Sequence, residues 1–534
     1  NKRTNKVKYY KGLGAIEPKE TDKVFGIKML LFEEDKASDD SFKTAFDKAE
    51  SAERKRWLAQ YNPQNQNKHT LDDEDSKTEI KFAISRYLND ELIKFFHDDC
   101  KRSIPSALDG LKESQRKIVY AAKKCNLKSG DTSGSQAAEG RKVAQFGADV
   151  AKHTNYHHGE ENLFKTIIKM AQSFPGSNNI PLFAELGRFG TRLEGGEDAA
   201  SSRYIKTNVV PEFNNLFNPL DDALLDMRED DGDLVEPYHY VPTIPLLLVN
   251  GCVGIGTGWM CNMPQFNPKD VATACQWWMR AAPSGDQSPA DRHEFLEFVK
   301  TMKPWYNGFS GDIEKVGETK FQTKGVYTER NDVIHVTELP VGLWNSKFQK
   351  MLDEKEVRYN NRSTPEKVDY EIFVNAKFDM KDFEKKMCTS LNLDNIVVFD
   401  KDDKIAKVTL VGLFDMWGEA RLTLNQKRKT ALIADLDKRT RIATCKSKFI
   451  KAVRAKRIDV TSEEKKIVDL IKFEGITKDE SDIKMLLDMP VKTLTEERQK
   501  ELKLSIEKMA REKDVLVKKS DVDMWVEDMS KLTV

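Results

Sequence analysis

The sequence predicts an α+β protein of several domains, and three observations carry that reading. At 534 residues and 61.1 kDa the chain is long enough for three or four domains with cores of their own. Strand-like and helix-like segments mix from about residue 234 to 411. No proline then occurs between Pro365 and Pro490, and Leu436, Ala443 and Ile450 recur at seven-residue spacing within that stretch.

Taken in order, the first residues carry no signal-peptide pattern, and the strand-like Lys6-Val-Lys-Tyr-Tyr10 reads as the middle of a domain. Residues 36–95 are charged and mostly helical. Asn62-Pro-Gln-Asn-Gln-Asn-Lys-His69 and Leu71-Asp-Asp-Glu-Asp-Ser76 read there as loop or linker, because nothing spaces those carboxylates to converge on a metal. From about 96 to 233 the pattern is helix–loop–helix. The loop Arg102–Leu111 feeds a helix beginning near Lys112, which sets Arg116, Tyr120 and Lys123 on one face. Residues 126–140 are rich in Ser, Gly, Asp and Thr and read as a surface loop. A second helix follows at Arg141–Lys152, then an amphipathic helix near Glu161–Gln172. Beyond 234 the strand candidates are Val241–Asn250, Gly325–Thr328, Val333–Glu338, Val368–Val374 and Ile405–Val411. His335 alternates there with apolar neighbours as a strand-face residue. A long helix is predicted from Leu413 to about Val460. After a short globular segment, Thr493-Leu-Thr-Glu496 resembles a capping box and opens a helix with Leu502, Ile506, Met509 and Leu516 on one seam, interrupted by Lys513. Two such seams fit an antiparallel coiled coil with a small dimerisation unit at its tip; two unrelated surface helices are the alternative.

Composition excludes several classes of function. Lys+Arg and Asp+Glu both total 87, so the net charge is zero and binding to polyanions by bulk charge is excluded. Charge is segregated, however. Between Lys112 and Lys152 there are nine Lys/Arg against four acids, which is either a patch that tracks a phosphate backbone or a solvated helix face. Seven cysteines without a C-x-x-C give neither a disulfide framework nor a zinc site. No run approaches the ~18 apolar residues of a membrane span, and Pro245-Leu-Leu-Leu-Val-Asn250 is short enough to be a buried strand.

The reactive candidates lie within fifty residues of one another. Tyr156-His157-His158-Gly159-Glu160 is followed by Gly176-Ser177-Asn178-Asn179-Ile180, Gly190-Thr191-Arg192, Gly195-Gly196 and Ser201-Ser202-Arg203-Tyr204. A phenol can attack a phosphodiester, imidazole can move its proton, and guanidinium can neutralise a pentacovalent phosphorane. With an ordinary pKa of about 10, the phenol needs a proton acceptor or a positive field. Because the attack exchanges one phosphate ester for another, the strand can be resealed without a high-energy cofactor. An isolated Arg-Tyr pair carries no such meaning; the order of the blocks does. Gly251-Cys-Val-Gly-Ile-Gly-Thr-Gly-Trp259 invites a nucleotide-binding reading. It fails, because Trp259 stands in the third-glycine place and no Walker lysine follows.

In order and spacing these blocks resemble the breakage–reunion domain of eukaryotic-type type IIA DNA topoisomerases. Tyr9-Tyr10-Lys11-Gly12-Leu13-Gly14 resembles the end of that family's metal-binding TOPRIM domain. The resemblance implies the end of TOPRIM at 1–35, a helical linker at 36–95 and a winged-helix domain at 96–233. It further implies a mixed α/β tower domain at 234–411, and a coiled coil with the dimerisation gate at 412–534. It implies that Tyr204 becomes linked to a DNA 5′-phosphate, with Arg203 as the adjacent transition-state stabiliser. Arg116, of Asp109-Gly-Leu-Lys-Glu-Ser-Gln-Arg-Lys117, is implied to contact the scissile phosphate, and His158 to help with proton transfer or charge. Glu113-Ser114 departs there from the family's Pro-Gly. Lys112, Lys117, Arg141, Lys142 and Arg192 are implied DNA contacts, whereas His157 is either a DNA contact or a core residue. Met263-Pro264 stands where the family has Ile-Pro, which makes Met263 either a wedge that kinks DNA or a residue packed under the glycine loop.

Mg2+ is the implied metal, with its carboxylates expected in TOPRIM sequence that this chain lacks. The Asp226–Asp233 cluster is a poor substitute, so efficient cleavage by this chain alone is not expected. ATP is implied for the full-length enzyme and not for this chain. The implied partners are double-stranded DNA, as the gate segment, and a second copy in a homodimer, with no membrane. The nucleus is implied for a cellular enzyme, and the host cytoplasm, viral factory or virion for a viral one. Two alternatives remain: a non-catalytic, architectural DNA-bending dimer, and a bacterial-type chain. Retention of Tyr204, Arg203, Arg116 and His158 together speaks against the first. Lys11-Gly-Leu-Gly14 upstream in the same chain speaks against the second.

Overall fold

The computed structural model describes residues 18–19, 29–61, 79–129, 140–230, 232–281, 289–375 and 378–533. The readings of residues 6–14, 62–76 and most of 126–140 lie outside the described residues.

Helices and antiparallel sheets mix along the chain, as the α+β reading expects. Within the segment read as a helical, charged linker, the described residues 36–61 and 79–95 pack together. Strands β1 (Met29–Glu33) and β2 (Glu79–Ala83) pair in parallel beside α1 (Ser38–Phe46) and α2 (Ser51–Gln60). Ala45, Leu58, Ile93 and Phe96 form a small core there with Trp57 and Trp259. A short α3 (Ile84–Tyr87) and a π turn lead into α4 (Ile93–Ser103).

The helix expected near Lys112 is α5 (Glu113–Lys124), and the Gln115 side chain accepts the Lys112 N–H at 2.9 Å. Arg141–Lys142 does not begin a helix: it forms β3, paired with β4 (Lys206–Thr207), and α6 (Val143–Thr154) starts one residue later. β-Branching at Val143 does not decide this; the ladder to the Tyr204 loop does. Asn155, left-handed at φ 47°, ends α6 and turns the chain toward α7 (Glu160–Ala171). Ile118, Val119, Phe146, Val150, Leu163 and Ile167 join these three helices in the main core.

The Val241–Asn250 strand expectation is overturned. A short α8 (Phe213–Leu216) precedes the hairpin β5 (Met227–Asp230) and β6 (Asp233–Pro237), and the apolar run that follows is α9 (Leu246–Asn250), buried on all its leucines. A continuous apolar run has no period by which helix and strand can be told apart. The glycine block is a hairpin of β7 (Cys252–Gly256) and β8 (Trp259–Met263). Its glycines serve packing: a Cβ on Gly254 would lie 2.0 Å from the Ser103 carbonyl at the end of α4.

Helices α10 (Pro268–Arg280) and α11 (Pro289–Thr301) lead into β9 (Asp312–Lys315), β10 (Lys320–Lys324), β11 (Val326–Arg330) and β12 (Val333–Glu338). With α12 (Asn345–Glu354), β13 (Tyr359–Asn361) and β14 (Tyr370–Phe373), they build an antiparallel sheet in the order β11-β12-β14-β13 over a second core of Ile334, Val336, Phe348 and Tyr370. His335 lies on β12, its Nδ1 4.0 Å from Glu371 on the neighbouring strand. A separate three-stranded sheet, β15-β10-β9, takes β15 (Cys388–Asn392) after α13 (Met380–Lys386), and β16 (Val397–Phe399) pairs with β17 (Ile405–Lys407).

The long helix is α14 (Leu410–Arg454), and α15 (Glu464–Phe473) and α16 (Glu480–Leu487) close its far end over a core of Phe449, Ile471 and Leu486. Helix α17 (Glu496–Lys518) returns alongside. Leu436, Ala443 and Ile450 meet Leu502, Ile506, Met509 and Leu516 in one apolar seam, and Lys513 pairs with Asp437 at 2.6 Å. Arg454 pairs with Glu496 at the opposite end, so the two helices run antiparallel. The cap is Thr495, whose side chain accepts the Arg498 N–H, and Thr493 lies in the preceding 3-10 turn. Helix α18 (Asp521–Ser530) docks back on the body through Trp525, which donates to the Thr243 carbonyl at 2.9 Å.

Candidate nucleic-acid interface and reactive tyrosine

The Tyr204 side chain stands out into solvent at 75% exposure. Its backbone is held: Tyr204 N–H donates to Ser201 O at 2.9 Å, while Val143 and Ala144 at the start of α6 donate to Ile205 O and Ser202 O at 3.1 and 3.0 Å. Those N–H groups begin a helix and have no partner within it, so the loop satisfies them while fixing its own position. Buried Gln172 braces the loop from behind, donating to Phe189 O and Gly196 O at 2.7 and 3.0 Å. Gly196 has φ +85, and a Cβ there would lie 2.5 Å from the Gln172 amide. The Arg203 guanidinium lies 5.6 Å from the Tyr204 ring centroid, over its face. The β3–β4 ladder sets exposed Lys142 opposite Lys206, two residues after the tyrosine. Arg141, beside it, pairs with Asp149 at 3.0 Å and remains partly exposed.

The histidine motif lies at the other end of α6. His157 and His158 are exposed on the rim of a cavity of about 530 Å³ lined also by Arg102, Glu113, Tyr156, Asn155 and Arg228. The His158 ring meets the Tyr156 ring edge-on at 5.3 Å. Burial raises the Tyr156 phenol above its ordinary value, opposed by Arg102. With 12 residues, α6 is roughly 18 Å long at a rise of 1.5 Å per residue. The Tyr204 loop, with Arg203 over the phenol ring, is tied to its start and the histidine motif follows its end. Arg102 and Arg228 on the cavity were not singled out from the sequence. Arg102 opens the loop that feeds α5, but nothing local marks Arg228.

Several expected DNA contacts face inward. Arg116 is buried, with Nε 2.6 Å from Asp109 and Nη2 donating to Leu111 O at 3.1 Å, so these bonds hold the loop ahead of α5, while its side chain also lines an opening shared with Lys101, Glu113 and Arg228. Lys117 donates to Thr154 O at 2.9 Å and pairs with buried Glu236 at 3.0 Å. Arg192 is buried against Glu338 of β12 and joins the tyrosine segment to the sheet domain. A cation can be buried only with a partner, and each of these has one. Lys123 likewise pairs with Asp222. Lys112 is only partly buried, its Nζ donating to Val253 O at 2.8 Å. The basic stretch is thus largely internal wiring, and its outward charge comes from Lys124, Lys128, Lys142 and Lys152.

Met263 is packed inward: strand alternation turns Cys261 and Met263 into the main core and Met260 outward, and Met263 is 2% exposed. Met263→Ala is expected to lower stability by about 2–5 kcal/mol, as buried Met-to-Ala changes do. Chemical denaturation in the absence of DNA checks this, and an unchanged midpoint would contradict the buried placement.

Among the described residues no group of three His, Cys, Asp or Glu side chains is placed to hold a metal ion, so the donor set for Mg2+ is not found in them. No helix among them is long and apolar enough to cross a membrane.

Residues 102–530 match the family described as DNA gyrase/topoisomerase IV, in its A-type chain, and residues 1–100 match the C-terminal associated domain of TOPRIM. The chain is 36% identical over 543 residues to DNA topoisomerase 2 of Invertebrate iridescent virus 6, covering 99% of this chain and 45% of that protein. It is 32% identical over 584 residues to DNA topoisomerase 2 of Plasmodium falciparum (isolate K1 / Thailand), covering 99% of this chain and 39% of that one. The chain thus spans less than half the length of these curated relatives. Its fold matches the crystal structure of the Plasmodium falciparum topoisomerase II DNA-binding, cleavage and re-ligation domain with a TM-score of 0.80 and 31% identity, over 98% of this chain and 74% of that one. The chain belongs to the DNA gyrase/topoisomerase IV family of type II DNA topoisomerases, on its topoisomerase 2 side.

Proposed function

We propose that this chain is the breakage–reunion core of an ATP-dependent type II DNA topoisomerase, in which a second duplex passes through a transient double-strand break to relax or decatenate DNA. The observation that carries the proposal is the Tyr204 loop: a solvent-facing phenol with a guanidinium over its ring, on a backbone fixed by the N-terminus of a helix beside exposed Lys142. The Tyr204 oxygen attacks phosphorus, the new O–P bond links the protein to the 5′-phosphate, and the 3′-oxygen leaves with a proton. Reversal restores both. Arg203 offsets the charge that builds on the phosphoryl oxygens, where a preset cation contributes most.

The separation along α6 gives the second copy a chemical task. Tyr204 of one chain meets the His158 cavity of its partner, so each reactive centre is composite and a homodimer has two, one for each DNA strand. His158 takes or returns the phenolic proton at that junction, and His157 contacts the backbone of the bent duplex. Arg116 acts by holding the loop ahead of α5, as a positioning residue. On this reading residues 96–233 form the winged-helix domain, 234–411 the tower domain, and 412–534 the antiparallel coiled coil and dimerisation gate. The α14–α17 seam supports the last of these. Mg2+ and ATP belong to the full-length enzyme. Its place is the nucleus of a cell, or the host cytoplasm, viral factory or virion for a viral enzyme.

Mixed dimers of full-length Tyr204→Phe and His158→Ala chains test the proposal. A composite centre leaves one site with both groups intact, so the mixed dimer should nick one strand at close to half the wild-type rate while each homodimer is impaired. A mixed dimer as inactive as the Tyr204→Phe homodimer would place the reacting groups within one chain. The architectural reading predicts no covalent adduct under any of these conditions.

A further inference from the structure

Positive charge gathers on one helix. From Lys427 to Arg457, α14 and the turn that ends it carry twelve Lys/Arg against two acids, in a chain whose net charge is zero. The two acids are already paired, Asp435 with Arg439 at 3.5 Å and Asp437 with Lys513 of α17 at 2.6 Å. Helix α17, which shares the seam, is nearly balanced, with seven Lys/Arg and six acids. Arg428, Arg441, Arg454 and Arg457 find carboxylates on neighbouring elements. Lys427, Lys438, Lys448 and Lys451 are exposed and have no ion-pair partner among the described residues.

The seam fixes where these lysines stand. Leu436, Ala443 and Ile450 recur every seven residues on the side that meets α17. Lys427, Arg441 and Lys448 are spaced in multiples of the same seven, five places out of step, which turns them about 150° from the seam. Lys438 lies three residues before Arg441 and Lys451 three after Lys448, so both flank that line. Phe449 and Ala452 turn to the core under α15 and α16, and the lysines beside them stay exposed. At a rise of 1.5 Å per residue the row from Lys427 to Lys451 is about 36 Å long, about one turn of duplex DNA. A duplex laid along it brings one backbone strand to both ends of the row and the other strand to its middle. Lys438 stands there, roughly 16 Å along from Lys427.

We propose that this face of α14 is a binding surface for duplex DNA, and that it holds the second duplex on its way through the break. The role in passage rests on the reaction proposed above, whereas the surface rests on charge and spacing alone. Unpaired lysines suit that role. An ammonium on a flexible stem meets phosphate as a point charge, without the fixed fork of arginine, so it grips backbone of any sequence. Each phosphate contact releases counterions, and four contacts give a slope of log K on log salt of roughly −3 to −4. Such a hold is screened within a Debye length, so a duplex is captured close to the helix and let go with no base contact to break. Arg428 fastens the base of α14 to Asp221 and Asp528, so the charged row stands on a fixed root.

The test is lysine footprinting on the full chain. Acetylation is read by peptide mass without DNA, with a short duplex, and with poly-glutamate at the same anionic charge. The duplex should protect Lys427, Lys438, Lys448 and Lys451 and leave Lys508, exposed on α17, at its free rate. No protection of the row, equal protection of Lys508, or equal protection by poly-glutamate would each overturn the surface. In the full-length protein the four lysines are then changed together to alanine. Affinity for a second duplex, with the first site saturated, should fall, and the salt slope should shrink by roughly 3. Duplex passage should fall by a larger factor than adduct formation on a single duplex, and arginine at the four positions should restore both binding and passage. Protection of the row with passage unaffected by the alanine changes would overturn the role in passage. If no protein forms an adduct at all, the breakage reaction fails and the footprint still decides the surface, as it does if the alanine variant fails to fold.

Discussion

Replacing Tyr204 with phenylalanine in the full-length protein is expected to abolish the covalent protein–DNA adduct while leaving affinity for duplex DNA within about twofold. The change removes one oxygen from a side chain that makes no packing contact on which the fold depends, since it is 75% exposed. Its ring remains to receive Arg203, and the loop stays tied to α6 through Val143 and Ala144. Only the nucleophile is lost, and transition-state chemistry disappears with it, whereas ground-state binding rests on phosphate contacts elsewhere. Filter binding and denaturing gels on one preparation separate the two effects. Retained adduct would remove Tyr204 from the chemistry, and a matching collapse of affinity would make it a binding residue.

The second large effect is structural. Arg428→Ala is expected to destabilise the protein by about 3–5 kcal/mol, the usual cost of leaving buried charges without their partner. Arg428 spans two carboxylates, with Nε and Nη2 on Asp221 at 2.6 and 2.7 Å and Nη1 on Asp528 at 2.5 Å. Arg421, one face along α14, adds a bond to Asp221 at 2.8 Å and one to Val241 O at 2.7 Å. The cluster fastens the base of the long helix to the 3-10 turn Pro219–Leu224 and to α18. Urea denaturation, with proteolysis of α18 as a local readout, measures the loss. Burial works against ionisation of Asp528, but Arg428 and Arg421 outweigh it and hold the carboxyl below its ordinary value. Its contribution is therefore full above the unfolded value of about 3.9 and is lost as pH falls through the lower, folded one. The gap between wild type and Arg428→Ala should accordingly narrow in acid. An equal gap at neutral and strongly acidic pH would contradict the pairing.

How much of this was legible in the sequence depends on how far each feature reaches along the chain. The helix after Lys112 and the seam of Leu436, Ala443, Ile450, Leu502 and Met509 are set by local period, and they stand where the pattern put them. The Tyr204 segment was found by the order of its blocks. What the sequence did not show was which way a charge points. Lys117 and Glu236, or Arg192 and Glu338, are far apart in sequence, and no local pattern marks either pair as buried. Asp109 was within reach of inspection, because it stands only seven residues before Arg116, in the loop that feeds the same helix. Met263 was legible too. The Thr257-Gly258 turn fixes a hairpin, and counting alternation from it places Met263 with Cys261 on the inner face. The run at 246–249 gave no such handle, since every residue in it is buried.

The most direct measurement is to identify the residue that carries DNA. Full-length protein and duplex DNA are incubated with Mg2+, denatured, digested with nuclease and protease, and the nucleotide-bearing peptide is sequenced by mass spectrometry. The account predicts one modified peptide, containing Arg203 and Tyr204, with a 5′-phosphonucleotide on the tyrosine oxygen. A nucleotide attached to any other residue, or through a 3′-phosphate, would contradict it.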